Sequence, residues 1–182
     1  MSGHNKWSKI KHKKGAADAK KSKVFSKHAR LIAVESKKVN GDKSLPGLRA
    51  SIERARADFM PNENIDRAVH KGTGANVEVV EEIVYETYGP GGTAILIATV
   101  TDNRNRTSQE LKHLLSTLGY ALGTPGSALW AFEKRGGTYF PTTPLSLSDE
   151  DGEKLAEFVE SLEEHDDVQD VYTTADGENE NV

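Results

Sequence analysis

Eight lysines, Lys6, Lys9, Lys11, Lys13, Lys14, Lys20, Lys21 and Lys23, fall between Gly3 and Lys23, interleaved with Trp7, His4 and His12. Each carries a strongly hydrated charge that resists burial, and only Trp7 and Ile10 offer apolar bulk, so this stretch cannot pack as a core. Its natural chemistry is the capture of an anion outside the chain. Lysines neutralise phosphates and release counterions, while the Trp7 indole or the His12 imidazole can stack on an exposed base. A solvated basic tail is the plainer alternative, and composition alone leaves both open. A secretory signal would need an apolar run after the basic start, and a membrane-surface helix would need bulky apolar residues at helical spacing; the arm has neither.

A second cationic set lies in TDNRNRT, Thr101 to Thr107, where Asn103, Arg104, Asn105 and Arg106 follow an apolar strand and precede a helix. The two guanidinium groups suit bidentate contact to phosphate, or equally pairing with Asp102 and other acidic neighbours.

Catalytic chemistry finds little support. His4, His12, His28, His70, His113 and His165 are scattered, and none forms the i, i+4 pair with a glutamate that a zinc hydrolase uses. The chain has no cysteine, which removes disulfides and thiolate metal sites and fits a reducing, cytoplasmic setting. Ser22, Ser26 and Ser36 sit in a helical pattern without a nucleophile elbow. The carboxylates between Asp149 and Asp170 mostly fall on the outward face of a helix. The expectation is a non-enzyme with no catalytic residue, no metal, no cofactor and no small-molecule substrate.

The elements that would position these residues follow from periodicity. Ala16 to Val39 reads as a helix with Phe25, Ala29 and Ile32 on one face, stopped by Asn40 and Gly41. After Pro46 a second helix carries Leu48, Ile52, Ala55 and Phe59 as its apolar stripe, with Arg49, Arg54 and Arg56 off it. A third begins at Pro61, buries Ile65, Ala68 and Val69, and ends at Gly72. Beyond the turn-rich KGTGAN come strands Val79 to Tyr88 and Thr93 to Val100. The Gly89-Pro90-Gly91-Gly92 between them lacks the Lys-Ser/Thr of a phosphate loop and reads as a hairpin turn. Thr107 with Glu110 has the spacing of a capping box and predicts a helix start there, with Leu111, Leu114, Leu115 and Leu118 on one face and Gly119 closing it. Strands are expected over Ala128 to Lys134, with Trp130 in the core, and Thr138 to Phe140. A helix capped by Ser148 and a closing strand Val168 to Thr173 complete the pattern. The fold class is α+β: a three-helix N-terminal domain, then a sandwich-like α+β domain with an antiparallel or mixed sheet. By residue, 1–23 is a basic arm, 24–75 the helical domain, 76–175 the α+β domain and 176–182 an acidic tail.

The formal net charge of −4 conceals a division: residues 1–75 hold 18 Lys plus Arg against 7 Asp plus Glu, and residues 76–182 hold 6 against 21. A basic half seeks polyanions; an acidic half is repelled by them or meets basic proteins. No apolar run approaches the length of a membrane span.

Four stretches, GHNKWSKIKHKKGAADAKKSKVFSK, MPNENIDRAVHKG, YETYGPGGTAILIATVTDNRNRT and LGTPGSALWAFEKRG, closely resemble the YebC/PmpR family, which includes the mitochondrial translational activator of cytochrome c oxidase. The resemblance covers nearly the whole chain, in the right order. It implies a helical domain followed by α+β domains without enzymatic chemistry, acting either as a DNA-binding transcriptional regulator or as a ribosome-associated translation factor. Carried over by position, Lys6, Trp7, Lys9, Lys11, His12, Lys13 and Lys14 match the family's N-terminal motif, and Asn103 to Arg106 its loop after the central strand. One departure is plain: a further α+β domain that the family carries between about Gly136 and Pro144 is replaced here by GTYFPTT, making this a short form, natural or engineered. The expected partner is DNA, or ribosomal RNA and the ribosome, with no membrane. The alternative is an acidic interaction module in which the helix from Asp149 to His165 docks a basic protein and the arm is passive.

Overall fold

The structure, a computed structural model, describes residues 18–74 and 80–176, with side chains described from Lys23 onward. These residues form two compact units, one built on three helices and one on a sheet with two helices.

In the helical unit, α1 (Asp18–Lys38), α2 (Pro46–Ala57) and α3 (Asn62–Thr73) converge on Ile32, Leu48, Ile52, Ala55, Met60, Ile65, Ala68 and Val69, with Phe25, Ala29 and Val39 at its margin. Pro46 opens α2, where its missing N–H is no loss. Two sequence expectations are corrected here. Gly72 does not end α3, which runs on to Thr73; a Cβ at Gly72 would lie 2.3 Å from the Ala33 carbonyl oxygen, so this glycine lets α1 and α3 touch. The buried Ser36 hydroxyl donates to the Val69 carbonyl at 2.8 Å in the same contact, which gives that serine a structural role.

Phe59 is the second correction. α2 stops at Ala57, and the chain reverses in a Schellman motif: Met60 N–H bonds the Ala55 carbonyl at 2.9 Å and Phe59 N–H the Arg56 carbonyl at 3.0 Å. Phe59 takes the left-handed position at φ 62, so its ring points away from the stripe and is 88 % exposed. Met60, one residue later, fills the core position.

In the second unit, β1 (Glu81–Tyr88), β2 (Ala94–Thr101) and β5 (Val168–Thr173) form a sheet in the order β1-β2-β5, with β2 antiparallel to β5. The turn between β1 and β2 spends its glycines on geometry, with Gly91 at φ 66 and Gly92 at φ 75. Alternation along β2 sends Ile95 and Ile97 to one face and Ala94 and Leu96 to the other. The first face packs on α4 (Arg104–Thr117) and α5 (Asp149–Glu163) through Leu111, Leu115, Leu155, Phe158, Val159 and Leu162. The other is covered by Ala128, Ala131, Phe132 and Tyr139. Coverage on both sides explains why TAILIATV is nearly all apolar. The antiparallel pair β3 (Phe132–Arg135) and β4 (Thr138–Pro141) turns at Gly136 and Gly137, both at positive φ. Ser148 caps α5 as its sequence predicts, accepting from Asp151 N–H at 3.1 Å.

The strand expected from Ala128 is shorter and later. Leu129 to Ala131 form one 3-10 turn, β3 starts at Phe132, and Trp130 is 69 % exposed rather than in the core. One tight turn rotates the indole off the sheet face that strand alternation would have given it.

Candidate nucleic-acid interface

Of the residues singled out from sequence, Lys6, Trp7, Lys9, Lys11, His12, Lys13 and Lys14 lie outside the described residues. Lys20, Lys21 and Lys23 stand on α1, so the end of the basic stretch is helical. Residues 18–74 hold 13 Lys plus Arg against 7 Asp plus Glu. With the apolar stripes turned inward, Lys37, Arg49, Arg54, Arg56 and Arg67 stand exposed on the helical unit. Arg49 faces Glu53 at 3.9 Å, and Arg67 donates to Asn64, whereas the Arg56 Nε reaches Asn62 at 3.4 Å.

The second cationic set sits differently from its sequence expectation. α4 starts at Arg104, not at Thr107, so Arg104, Asn105 and Arg106 occupy the first helical turn, while Asn103 N–H donates to Thr101 Oγ1 at 2.9 Å. Thr107 is buried inside the helix and donates to Asp167 Oδ2 at 2.7 Å, so it caps nothing. Both arginines have acidic partners: Arg104 Nη2 lies 2.8 Å from Glu81 Oε2, and Arg106 Nη2 lies 2.9 Å from Asp167 Oδ2. Arg104 is 64 % exposed; Asp167 is only 3 % exposed, so the Arg106 pair is much the more shielded from solvent.

Asp167 anchors a network that sequence reading missed. His165 Nδ1 accepts from Asp167 N–H at 3.1 Å, and His165 Nε2 lies 3.1 Å from Glu110 Oε2. Because Nδ1 accepts, the proton sits on Nε2 and donates to Glu110. Glu110, His165 and Asp167 are close enough for one ligand atom from each to lie within 4.8 Å of the others. That tautomer leaves neither ring nitrogen a free lone pair for a metal, and Arg106 already supplies a cation to Asp167. The network suits positioning the start of α4 better than it suits a metal.

Glu86 was also missed. Buried on β1, it accepts from Gly126 N–H at 2.6 Å with one oxygen and from Ala128 and Leu129 N–H at 2.6 and 2.7 Å with the other. Burial alone would push its carboxyl up, but the three N–H donors together outweigh that and hold it below its ordinary value. The loop so fixed carries Trp130, whose Nε1 donates to the Ser127 carbonyl at 2.9 Å and reaches Tyr88 Oη at 3.2 Å. The only sequence cue was a glutamate in the middle of a β-forming run, 40 to 43 residues from its partners.

The chain matches the TACO1/YebC protein N-terminal domain over residues 5–75 and the TACO1/YebC second and third domain over residues 80–138 and 136–175. These matches, which take in both units, define a TACO1/YebC-type architecture of helical domain and α+β domain. The chain belongs to the TACO1/YebC family. A relative from Thermotoga petrophila, described as a probable transcriptional regulatory protein, is 38 % identical over 235 aligned positions that cover 95 % of this chain and 93 % of its own. One from Trichlorobacter lovleyi, described the same way, is 46 % identical over 175 positions, covering 95 % and 70 %. The chain spans about three-fifths of the length of several others, including that from Petrotoga mobilis. A crystal structure of a conserved hypothetical protein from Aquifex aeolicus superposes with a TM-score of 0.80 at 29 % identity, covering 94 % of this chain and 96 % of that one.

The alignment to the Thermotoga petrophila relative is longer than this chain's 182 residues, so at least 53 of its positions have no counterpart here. The two stretches matched to the second and third domains overlap at residues 136–138, the turn of the β3–β4 hairpin and the first residue of β4. The short form expected from GTYFPTT thus closes by a glycine turn that completes a small antiparallel pair.

Proposed function

We propose that this chain is a nucleic-acid-binding regulator of gene expression that acts without catalysis, in the cytoplasm, gripping phosphate with its basic half. The observation that carries this is the charge division, +11 over residues 1–75 against −15 over residues 76–182. Family membership and the regulatory description of the relatives support it. Among the described residues no helix is long and apolar enough to cross a membrane.

In this reading the arm orders on its target. Lys6, Lys9, Lys11, Lys13, Lys14, Lys20, Lys21 and Lys23 neutralise phosphates, His12 adds a ring, and Trp7 stacks on a base or anchors the arm. Asn103, Arg104, Asn105 and Arg106 form a second contact: Arg104 exchanges Glu81 for phosphate, and Arg106, held in place by Asp167, adds positive charge beside it. The most basic helix, α1, has its lysines spread around it and no cluster of Asn, Gln and Arg suited to base edges in a duplex groove, which favours shape and backbone recognition, including that of RNA, over sequence-specific DNA readout. The rival in which α5 docks a basic protein gains nothing from the relatives; the apolar face of α5 is already spent on the sheet.

Co-sedimentation with ribosomes, set beside a gel shift on promoter DNA, tests this. The intact chain is expected to bind at least one of the two, and a variant with Lys6, Lys9, Lys11, Lys13 and Lys14 changed to Gln to lose most of that binding at moderate salt. Equal binding by both proteins would refute the proposal.

A further inference from the structure

Phe59 combines an unfavourable backbone with a side chain that folding does not use. The left-handed position it occupies at the end of α2 is one that glycine or asparagine fills at least cost, and a bulky ring there is an outlier. Burial does not offset that cost, since the ring is 88 % exposed. A strained residue that packs on nothing points to a role outside the fold.

The corner that presents the ring is stiff. Two backbone hydrogen bonds close it, Met60 is buried beneath it, and Pro61 follows. On the other side His28 Nε2 lies 2.6 Å from Asp58 Oδ2, tying the residue before Phe59 to α1. The backbone that carries the ring is therefore fixed, which is what a stacking surface requires.

The exposed residues beside it in sequence are mostly charged or polar. Arg56, one turn back, is steered toward Asn62 on the far side of the corner, and Arg54, also exposed, precedes it on the same turn. Residues 18–74 carry a net positive charge, with 13 cationic against 7 acidic side chains. A protein-docking hot spot usually sits amid other apolar groups that exclude water, and here the neighbours Ala57, Asp58 and Asn62 supply no such ring. An apolar plane on a unit of net positive charge matches a partner with both flat π-faces and negative charge. In duplexes those faces are stacked away, whereas RNA loops and single strands expose them.

We infer that Phe59 is a stacking platform for an unpaired base of single-stranded RNA, with Arg54 and Arg56 contacting the phosphates beside it. This rests on the nucleic-acid reading above and adds a site on the helical unit, separate from the arm.

The test measures binding of a fluorescein-labelled single-stranded RNA 12-mer, and of the same sequence as RNA duplex, by fluorescence anisotropy, with thermal melts in parallel. The proteins are the full chain, Phe59→Gly, Phe59→Trp, and the arm variant with Lys6, Lys9, Lys11, Lys13 and Lys14 changed to Gln. Phe59→Gly is expected to melt at a higher temperature yet bind the single strand about 5- to 30-fold more weakly, with duplex binding unchanged. Phe59→Trp should bind the single strand at least as tightly as the wild type, with tryptophan fluorescence quenched beyond the wild-type change. The arm variant should lose affinity for both RNAs. If Phe59→Gly binds the single strand like the wild type while the arm variant does not, the platform is wrong and the nucleic-acid reading survives. If neither variant differs from wild type, both fall. A lowered melting temperature for Phe59→Gly, equal losses on single strand and duplex, or tighter binding of an acidic peptide than of RNA would each overturn the platform.

Discussion

Phe59 and Trp130 are both aromatic residues that apolar spacing assigns to a core, and both end up exposed, but for opposite physical reasons. Phe59 is released by a chain reversal: α2 ends two residues earlier than its stripe, and the left-handed cap throws the ring outward. Trp130 is exposed yet held, its indole N–H bonded to Ser127 and Tyr88 above a loop that Glu86 clamps. An exposed aromatic can thus stand on strain or on a built support. In this molecule the strained one lies in the basic half and the supported one in the acidic half.

Removing the support should have the largest effect. Glu86→Ala strips three buried N–H groups of their acceptor and is expected to cost about 3–5 kcal/mol, measured by urea denaturation. The same carboxylate predicts a pH dependence. Its folded-state pKa lies below the ordinary 4.5, so its stabilisation is fully present above that value and is lost as pH falls through the folded pKa. Melting temperature should therefore drop on acidification below about 4.5, and less steeply in Glu86→Gln.

On the helical side, Gly72→Ala should cost about 1–3 kcal/mol, because the new methyl meets the backbone of Ala33 rather than a side chain able to move aside. The smallest effects are the most telling, since their signs differ. Phe59→Gly is expected to stabilise by about 0.5–1 kcal/mol through relief of the left-handed strain. Trp130→Ala should destabilise by about 0.5–1 kcal/mol as its hydrogen bond and partial burial are lost. Equal signs would erase the distinction between the two.

Sequence pattern carried the layers well because stripes and alternation report burial directly: Ile32, Leu48, Ile52, Ala55, Ile65, Ile95, Ile97, Leu111, Leu155 and Leu162 all lie where spacing puts them. It failed at element ends. Pro61 two residues after Phe59 was a stop signal for α2 as much as a start signal for α3, and reading it only as the latter left Phe59 on the stripe. Thr107 matched a capping box because spacing cannot show that its hydroxyl is claimed by Asp167, sixty residues away. Glu86 and the His165 network were illegible for the same reason: their partners are distant in sequence and meet only once the sheet and its loops are assembled. The cationic character of the first half, by contrast, needed no fold to be seen.

The salt dependence of RNA binding tests the central claim most directly. For the intact chain, log affinity against log salt concentration should fall steeply, and changing Lys6, Lys9, Lys11, Lys13 and Lys14 to Gln should flatten that slope by about 3–4. A shallow slope in the intact chain, or one that the five substitutions leave unaltered, would contradict the account.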